Sequence, residues 1–119
     1  MAIIKTDTIE MLVTSINRYF MDEDANINLY QIRDRAHRKN VTFGVNWSAL
    51  GTVAPDRAMQ FAKHLEQAAY ICEVLNNENW TEEFGSPYDT DEDYWKAVKW
   101  FYDGLKAGND IQTLVDYGI

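Results

Sequence analysis

The sequence predicts an α-rich α+β fold: four or five helices packed around a central long helix, with one short β-sheet. Three apolar stripes of helical period, one run of period 2 and a length of 119 residues carry that prediction. A chain of this size buries roughly two-thirds of its unfolded surface, enough for one core without staples. Residues 1–119 therefore read as a single domain, with an acidic, aromatic-rich last third.

Residues 2–5 are a short apolar segment able to add a strand. Asp7 stands three residues before Glu10, a cap and its reciprocal partner at a helix start. Ile9, Leu12, Val13, Ile16 and Phe20 recur at helical spacing and predict an amphipathic helix over residues 8–21, leaving through Asp22, Glu23 and Asp24. A second helix is predicted over residues 27–39, with Leu29, Ile32 and Ala36 inward. Its polar side is basic, carrying Arg33, Arg35, Arg38 and Lys39.

From Val41 to Trp47 the period changes to 2, with Val41, Phe43, Val45 and Trp47 pointing one way. A lone strand leaves its backbone unpaired, so it needs residues 2–5 or a second copy of the chain. Pro55 suits the first turn of a helix, where a missing N–H costs nothing. The stripe Ala58, Phe61, Ala62, Leu65, Ala68, Ala69, Cys72 and Leu75 predicts the longest helix, over residues 55–77, at the centre of the core. Phe61 and Leu65 are expected to pack there against Leu12, Ile16, Val98 and Phe101. Residues 76–87 read as a loop anchored by Trp80 and Phe84. Thr90 caps the next helix, whose inward stripe is Tyr94, Ala97, Val98, Phe101 and Leu105, with Gly108 as its stop. A short last helix over residues 110–117 turns Ile111, Leu114 and Val115 inward.

Charge is distributed unevenly. Residues 78–119 hold ten acids against three lysines, a net −7 out of the chain's formal −8, and nine of its sixteen aromatics. Acid alone would suggest disorder, but acid with this many aromatics points to a folded, negatively charged surface. Such a surface repels nucleic acid and anionic membrane, so neither is expected as a direct partner. No apolar run approaches the ~20 residues that span a bilayer. A single cysteine, Cys72, excludes an internal disulfide and fits a cytoplasmic setting.

Tests for chemistry fail one by one. The acids of residues 89–93 and of 22–26 open like calcium loops. Both then miss the required sixth and twelfth positions, which are Tyr94 and Trp100 in one and Ile27 and Arg33 in the other. His37, His64 and Cys72 lack zinc-ligand spacing. Ser15, Ser48 and Ser86 have no nucleophile-elbow context, no phosphate loop occurs, and no spacing singles out a carboxylate pair. The chain reads as a non-enzyme, with no catalytic residue, cofactor or metal assigned.

What remains is binding. Asp91, Glu92 and Asp93 fit the start of a helix, where its dipole favours acids. With Glu82, Glu83, Asp89 and Asp103 they make up the acidic part of the expected partner surface. Trp95 and Tyr102 lie on the flanks of their helix and are its aromatic anchors, because Trp and Tyr dominate binding hot spots. Arg33, Arg35 and Arg38 form an alternative, phosphate-holding site for a small ligand such as a nucleotide.

The run Val45-Asn46-Trp47-Ser48-Ala49-Leu50-Gly51-Thr52-Val53-Ala54-Pro55, leading into an Ala-rich amphipathic helix, resembles a strand–turn–helix segment of small phage and prophage proteins of unassigned role. The likeness covers residues 41–75. It implies a phage or mobile-element origin and transfers no catalytic residue. The expected function is a small acidic accessory protein that docks on a basic surface of a larger, nucleic-acid-handling host protein, as an inhibitor or nucleic-acid mimic. A nucleotide sponge and a structural homo-oligomer, such as a homodimer paired through the strand, are the alternatives.

Overall fold

The computed structural model describes residues 3–33, 39–81 and 90–118. The elements run β1 (Ile3–Lys5), α1 (Thr6–Asp22), β2 (Ile27–Arg33), β3 (Lys39–Val45), α2 (Trp47–Leu50), α3 (Pro55–Asn77), β4 (Asn79–Thr81), α4 (Asp91–Lys106) and α5 (Ile111–Gly118). The α-rich α+β class is as predicted. There are two small sheets among the described residues in place of one: β1 beside β4 in parallel, and β2 beside β3 antiparallel.

The centre of the core is α1. Its stripe Ile9, Leu12, Ile16 and Phe20 is wholly buried, and Met11 joins it. Ser15 is buried as well, its hydroxyl satisfied by donating to the Met11 carbonyl at 2.8 Å. Asp24 and Asn26 both take positive φ, 52° and 58°, in the turn that follows. Short polar side chains enter this left-handed region more readily than others.

Residues 27–33 correct the predicted helix. They form a strand that pairs with β3 from Ile27↔Val45 to Arg33↔Lys39. Ile27 and Leu29 are buried while Tyr30 and Ile32 are half-exposed, which is alternation of period 2. Four cations over residues 33–39 suggested the polar side of a helix. The β-branched and aromatic residues just before them fit a pleated, half-buried surface instead. Arg33 closes the strand, and Ala36, Arg35 and Arg38 lie outside the described residues.

The partner of the 41–47 run is therefore the segment just before it. The N-terminal segment instead pairs with β4, inside the stretch expected to be loop. Trp80 lies in β4, and Phe84 lies outside the described residues. Trp47 has left the strand to open α2, two-thirds exposed with its ring edge-on to Phe61 at 6.0 Å.

Each outer edge of the hairpin is met at one position by an asparagine. Leu29 N–H donates to Asn17 Oδ1 at 2.7 Å, and Asn17 Nδ2 donates back to the Leu29 carbonyl at 3.1 Å. On the other edge Val41 N–H donates to Asn76 Oδ1 at 2.7 Å, and Asn76 Nδ2 to the Val41 carbonyl at 2.9 Å. A side-chain amide carries one donor and one acceptor at peptide spacing, so each asparagine stands in for a neighbouring strand.

α3 is peripheral along its first half. Residues 55–60 are exposed, Phe61 and Leu65 are only partly buried, and burial begins at Ala68 and continues through Ile71, Cys72, Val74 and Leu75. The expected central position of residues 55–77 holds for the second half of the helix and fails for the first, where half of the stripe is alanine. A methyl group buries little area, so periodic alanines do not compel burial.

The last two helices follow prediction. Val98, Phe101 and Leu105 of α4 and Ile111, Leu114 and Val115 of α5 are buried. Gly104 allows the two helices to meet: a Cβ there would lie 2.5 Å from a Leu114 methyl carbon. Gly118 does the same against the Phe101 and Trp100 rings, at 2.6 and 2.7 Å.

Leu12→Ala is expected to cost ~2–5 kcal/mol in urea denaturation, while Met59→Ala on exposed α3 changes little. Asn76→Ala leaves the Val41 N–H and C=O unanswered and should cost about 1–3 kcal/mol. The control is Asn77→Ala, one residue on and exposed. Equal effects at 76 and 77 would refute the edge-closing role.

Candidate functional site

The α4 start is built as a cap. Thr90 Oγ1 accepts the Asp93 N–H at 3.1 Å, and Asp91, Glu92 and Asp93 stand exposed in the first turn. Glu92 pairs with Lys96 at 3.3 Å and Asp103 with Lys99 at 2.8 Å, both one turn away along the helix. Asp91 and Asp93 have no ion pair among the described residues. Trp95 beside them is half-exposed, its ring edge-on to Tyr94 at 5.3 Å. Glu82, Glu83 and Asp89 lie outside the described residues.

Tyr102 points elsewhere. Its hydroxyl donates to Asp22 Oδ2, which also takes Lys106 Nζ at 2.6 Å. The Arg18 guanidinium sits 5.6 Å from the Tyr102 ring centre. Lys106 first, and then Tyr102, hold the Asp22 carboxyl below the usual range. The same hydrogen bond to Asp22 raises Tyr102 above an ordinary phenol. This cluster ties α4 to the end of α1. Nearby, Asp24 pairs with Arg57 at 3.0 Å. The acids of the 22–24 loop are thus answered by cations.

The seam between α3 and α5 is the reverse. Tyr70 donates its hydroxyl to Asp110 Oδ2 at 3.3 Å, and Gln112 Nε2 donates to Asp116 Oδ1 at 3.0 Å and to Glu78 Oε1 at 3.4 Å. Glu78 is only 9% exposed, and its Oε2 has no hydrogen-bond partner among the described residues. Here carboxylates are held by neutral donors. Desolvation, then the hydrogen bond to Asp110, pushes the Tyr70 hydroxyl up, with the Asp110 and Glu73 charges adding to it. Tyr70, Trp100 and Tyr117 are exposed aromatics of the same two-helix margin and of α4 beside it. Nothing in the sequence marks this group, because it depends on α5 docking beside the end of α3.

A third feature is an open groove of about 510 Å³ where α1 turns into β2, lined by Arg18, Met21, Asn26, Asn28 and Asn46 among others. Its cation is Arg18, which is absent from the predicted phosphate-holding set. Among the described residues no group of three or more His, Cys, Asp or Glu side chains could hold a metal ion. His64 packs edge-on to Phe20 at 6.3 Å. Cys72 is buried, and desolvation pushes its thiol up to about 11, so it is protonated at neutral pH. Among the described residues no helix is long and apolar enough to cross a membrane.

No protein-family model, curated protein or solved structure matches this chain.

The Asp22 cluster predicts its own pH limits. A lowered carboxyl contributes stability present above its unfolded value of 3.8 and lost as pH falls through the folded one. Lys106 and Tyr102, both raised, contribute stability present below 10.5 and 10.0 and lost as pH rises beyond their folded values. Asp22→Asn should remove the dependence at both ends and move Tyr102 back toward 10.0 in a phenolate absorbance titration. An unchanged tyrosine titration would show that the contact does not persist in solution.

Proposed function

We propose that this chain is a small acidic binding protein, acting without chemistry, that docks on a basic surface of a larger nucleic-acid-handling protein. Its carboxylates stand in for phosphates, and the outcome is inhibition of the partner. The setting we infer is cytoplasmic, in a cell that carries a phage or mobile element, as the resemblance of residues 41–75 suggests.

One observation carries this reading. The acids of the α3–α5 seam are met by Tyr70 and Gln112, which are neutral, so their charge is left for a partner to compensate. Asp91 and Asp93 add exposed charge beside Trp95. An arrangement of like charge raises encounter rates with a basic surface and repels acidic competitors. Exposed Trp and Tyr then supply contact area that charge alone does not.

A second reading draws on the groove beside Arg18, whose 510 Å³ falls within the range of small-ligand sites. Its amides and the Arg18 guanidinium suit a polar ligand such as a nucleotide, and the Asp24 carboxylate that also lines it is paired with Arg57.

The test is capture of nucleic-acid-binding proteins on the immobilised chain at low and high salt, with duplex DNA as competitor. The expected outcome is salt-sensitive capture, release by DNA, and weaker capture by the combined Asp91→Asn, Glu92→Gln, Asp93→Asn variant, whose urea midpoint stays near that of the parent. Capture that ignores both salt and DNA would sink the mimic. Thermal stabilisation by nucleotides, lost in Arg18→Ala, would favour the groove.

A further inference from the structure

The environment of Gln112 is unusual for a neutral side chain. One amide nitrogen reaches both Asp116 Oδ1, at 3.0 Å, and Glu78 Oε1, at 3.4 Å. The Glu78 side chain belongs to a residue nine-tenths buried, and its second oxygen, Oε2, has no hydrogen-bond partner among the described residues. An amide supplies two N–H donors and no charge, while two carboxylates offer about eight acceptor sites and two negative charges. Among the described residues no cation pairs with either acid. The three lysines of α4 are occupied with Glu92, Asp103, and the pair Asp22 and Glu23.

We propose that this seam receives the guanidinium of an arginine side chain from the basic partner, taking the place of the Gln112 amide between Glu78 and Asp116. The proposal rests on the acidic-docking reading and narrows it to one side-chain chemistry at one place. A guanidinium is planar, carries five N–H donors and can satisfy two carboxylates at once. It is also more weakly hydrated than an ammonium, so it enters a half-buried site at lower cost than lysine does. Bound there, it gives Glu78 Oε2 the donor it lacks. Tyr117 follows Asp116 in the chain and is largely exposed, so it offers a ring face against which the cation can lie. Tyr70 on α3 and Asp110 just before α5, one hydrogen bond apart, extend the acidic track for a neighbouring basic residue.

The experiment uses the full chain and two fluorescein-labelled peptides, octa-arginine and octa-lysine, followed by anisotropy at low and near-physiological salt. Octa-arginine should bind roughly tenfold tighter than octa-lysine. The double variant Glu78→Gln, Asp116→Asn removes two charges and should abolish that preference. The triple variant Asp91→Asn, Glu92→Gln, Asp93→Asn removes three and should keep it. Asp116→Asn alone, at an exposed position, provides the same comparison should the double variant fold poorly, with a loss of at least about threefold for octa-arginine. The Gln112 side-chain amide resonances should shift on adding octa-arginine. Equal binding of the two peptides, or affinities that follow only the number of charges removed, would overturn the proposal. In that case salt-sensitive, DNA-competed capture of basic proteins would still uphold acidic docking. Failure of that capture would defeat the broader reading whatever the peptides do.

Discussion

A two-stranded sheet cannot satisfy its own backbone, because half of its N–H and C=O groups point away from the partner strand. In this fold two asparagines answer that demand at one position on each edge, Asn17 from α1 at Leu29 and Asn76 from α3 at Val41. Aspartate could accept but, when ionised, could not donate, and leucine could do neither. The clamps fix α1 and α3 on opposite edges of the hairpin. The α4 helix then packs on α1, and α5 settles beside α4 and the end of α3. The acidic seam exists only because these placements bring Glu78 under Gln112. Closed edges also deny a foreign strand a template at those two positions.

The two ends of the molecule treat charge differently. At the end of α1, acids and cations meet across elements, with Asp22 against Lys106 and Asp24 against Arg57. These pairs are exposed, and pairs of that kind add little to stability. They do remove net charge locally. At the α3–α5 seam the donors are a phenol and an amide, which orient carboxylates without neutralising them. An unevenly compensated surface of this kind favours one approach direction for a charged partner.

The helices with bulky periodic side chains were legible in the sequence. Ile9, Leu12, Ile16, Phe20, Val98, Phe101, Leu105, Ile111, Leu114 and Val115 are buried as their spacing predicts, with Val13, Tyr94 and Ala97 of the same stripes partly buried against them. The Thr90 cap was equally readable, because its chemistry is local. The failures have physical causes. Residues 27–33 are seven residues with only two buried apolar side chains, too short a run for period to outvote the cations that follow. The alanines of α3 imitate a core stripe without the area that demands burial. The parallel pairing of β1 with β4, the asparagine clamps and the seam all join residues far apart in the chain. Long-range partners leave no periodic trace in either segment. For the binding surface, Asp91 to Asp93 and Trp95 were legible as exposed groups at a helix start, whereas Glu78 and Asp116 acquire meaning only through tertiary contact.

The parallel pairing of β1 with β4 also bears on how the chain is made. Ile3–Lys5 is made before its partner Asn79–Thr81, which follows roughly 75 residues later, a wait of about 4–15 s at ordinary synthesis rates. The hairpin of β2 and β3, whose strands are adjacent in the chain, meets no such delay. The backbone of Ile3 and Ile4 therefore waits for its strand partner while the intervening elements are synthesised. β1 thus depends on an element made much later before it can pair.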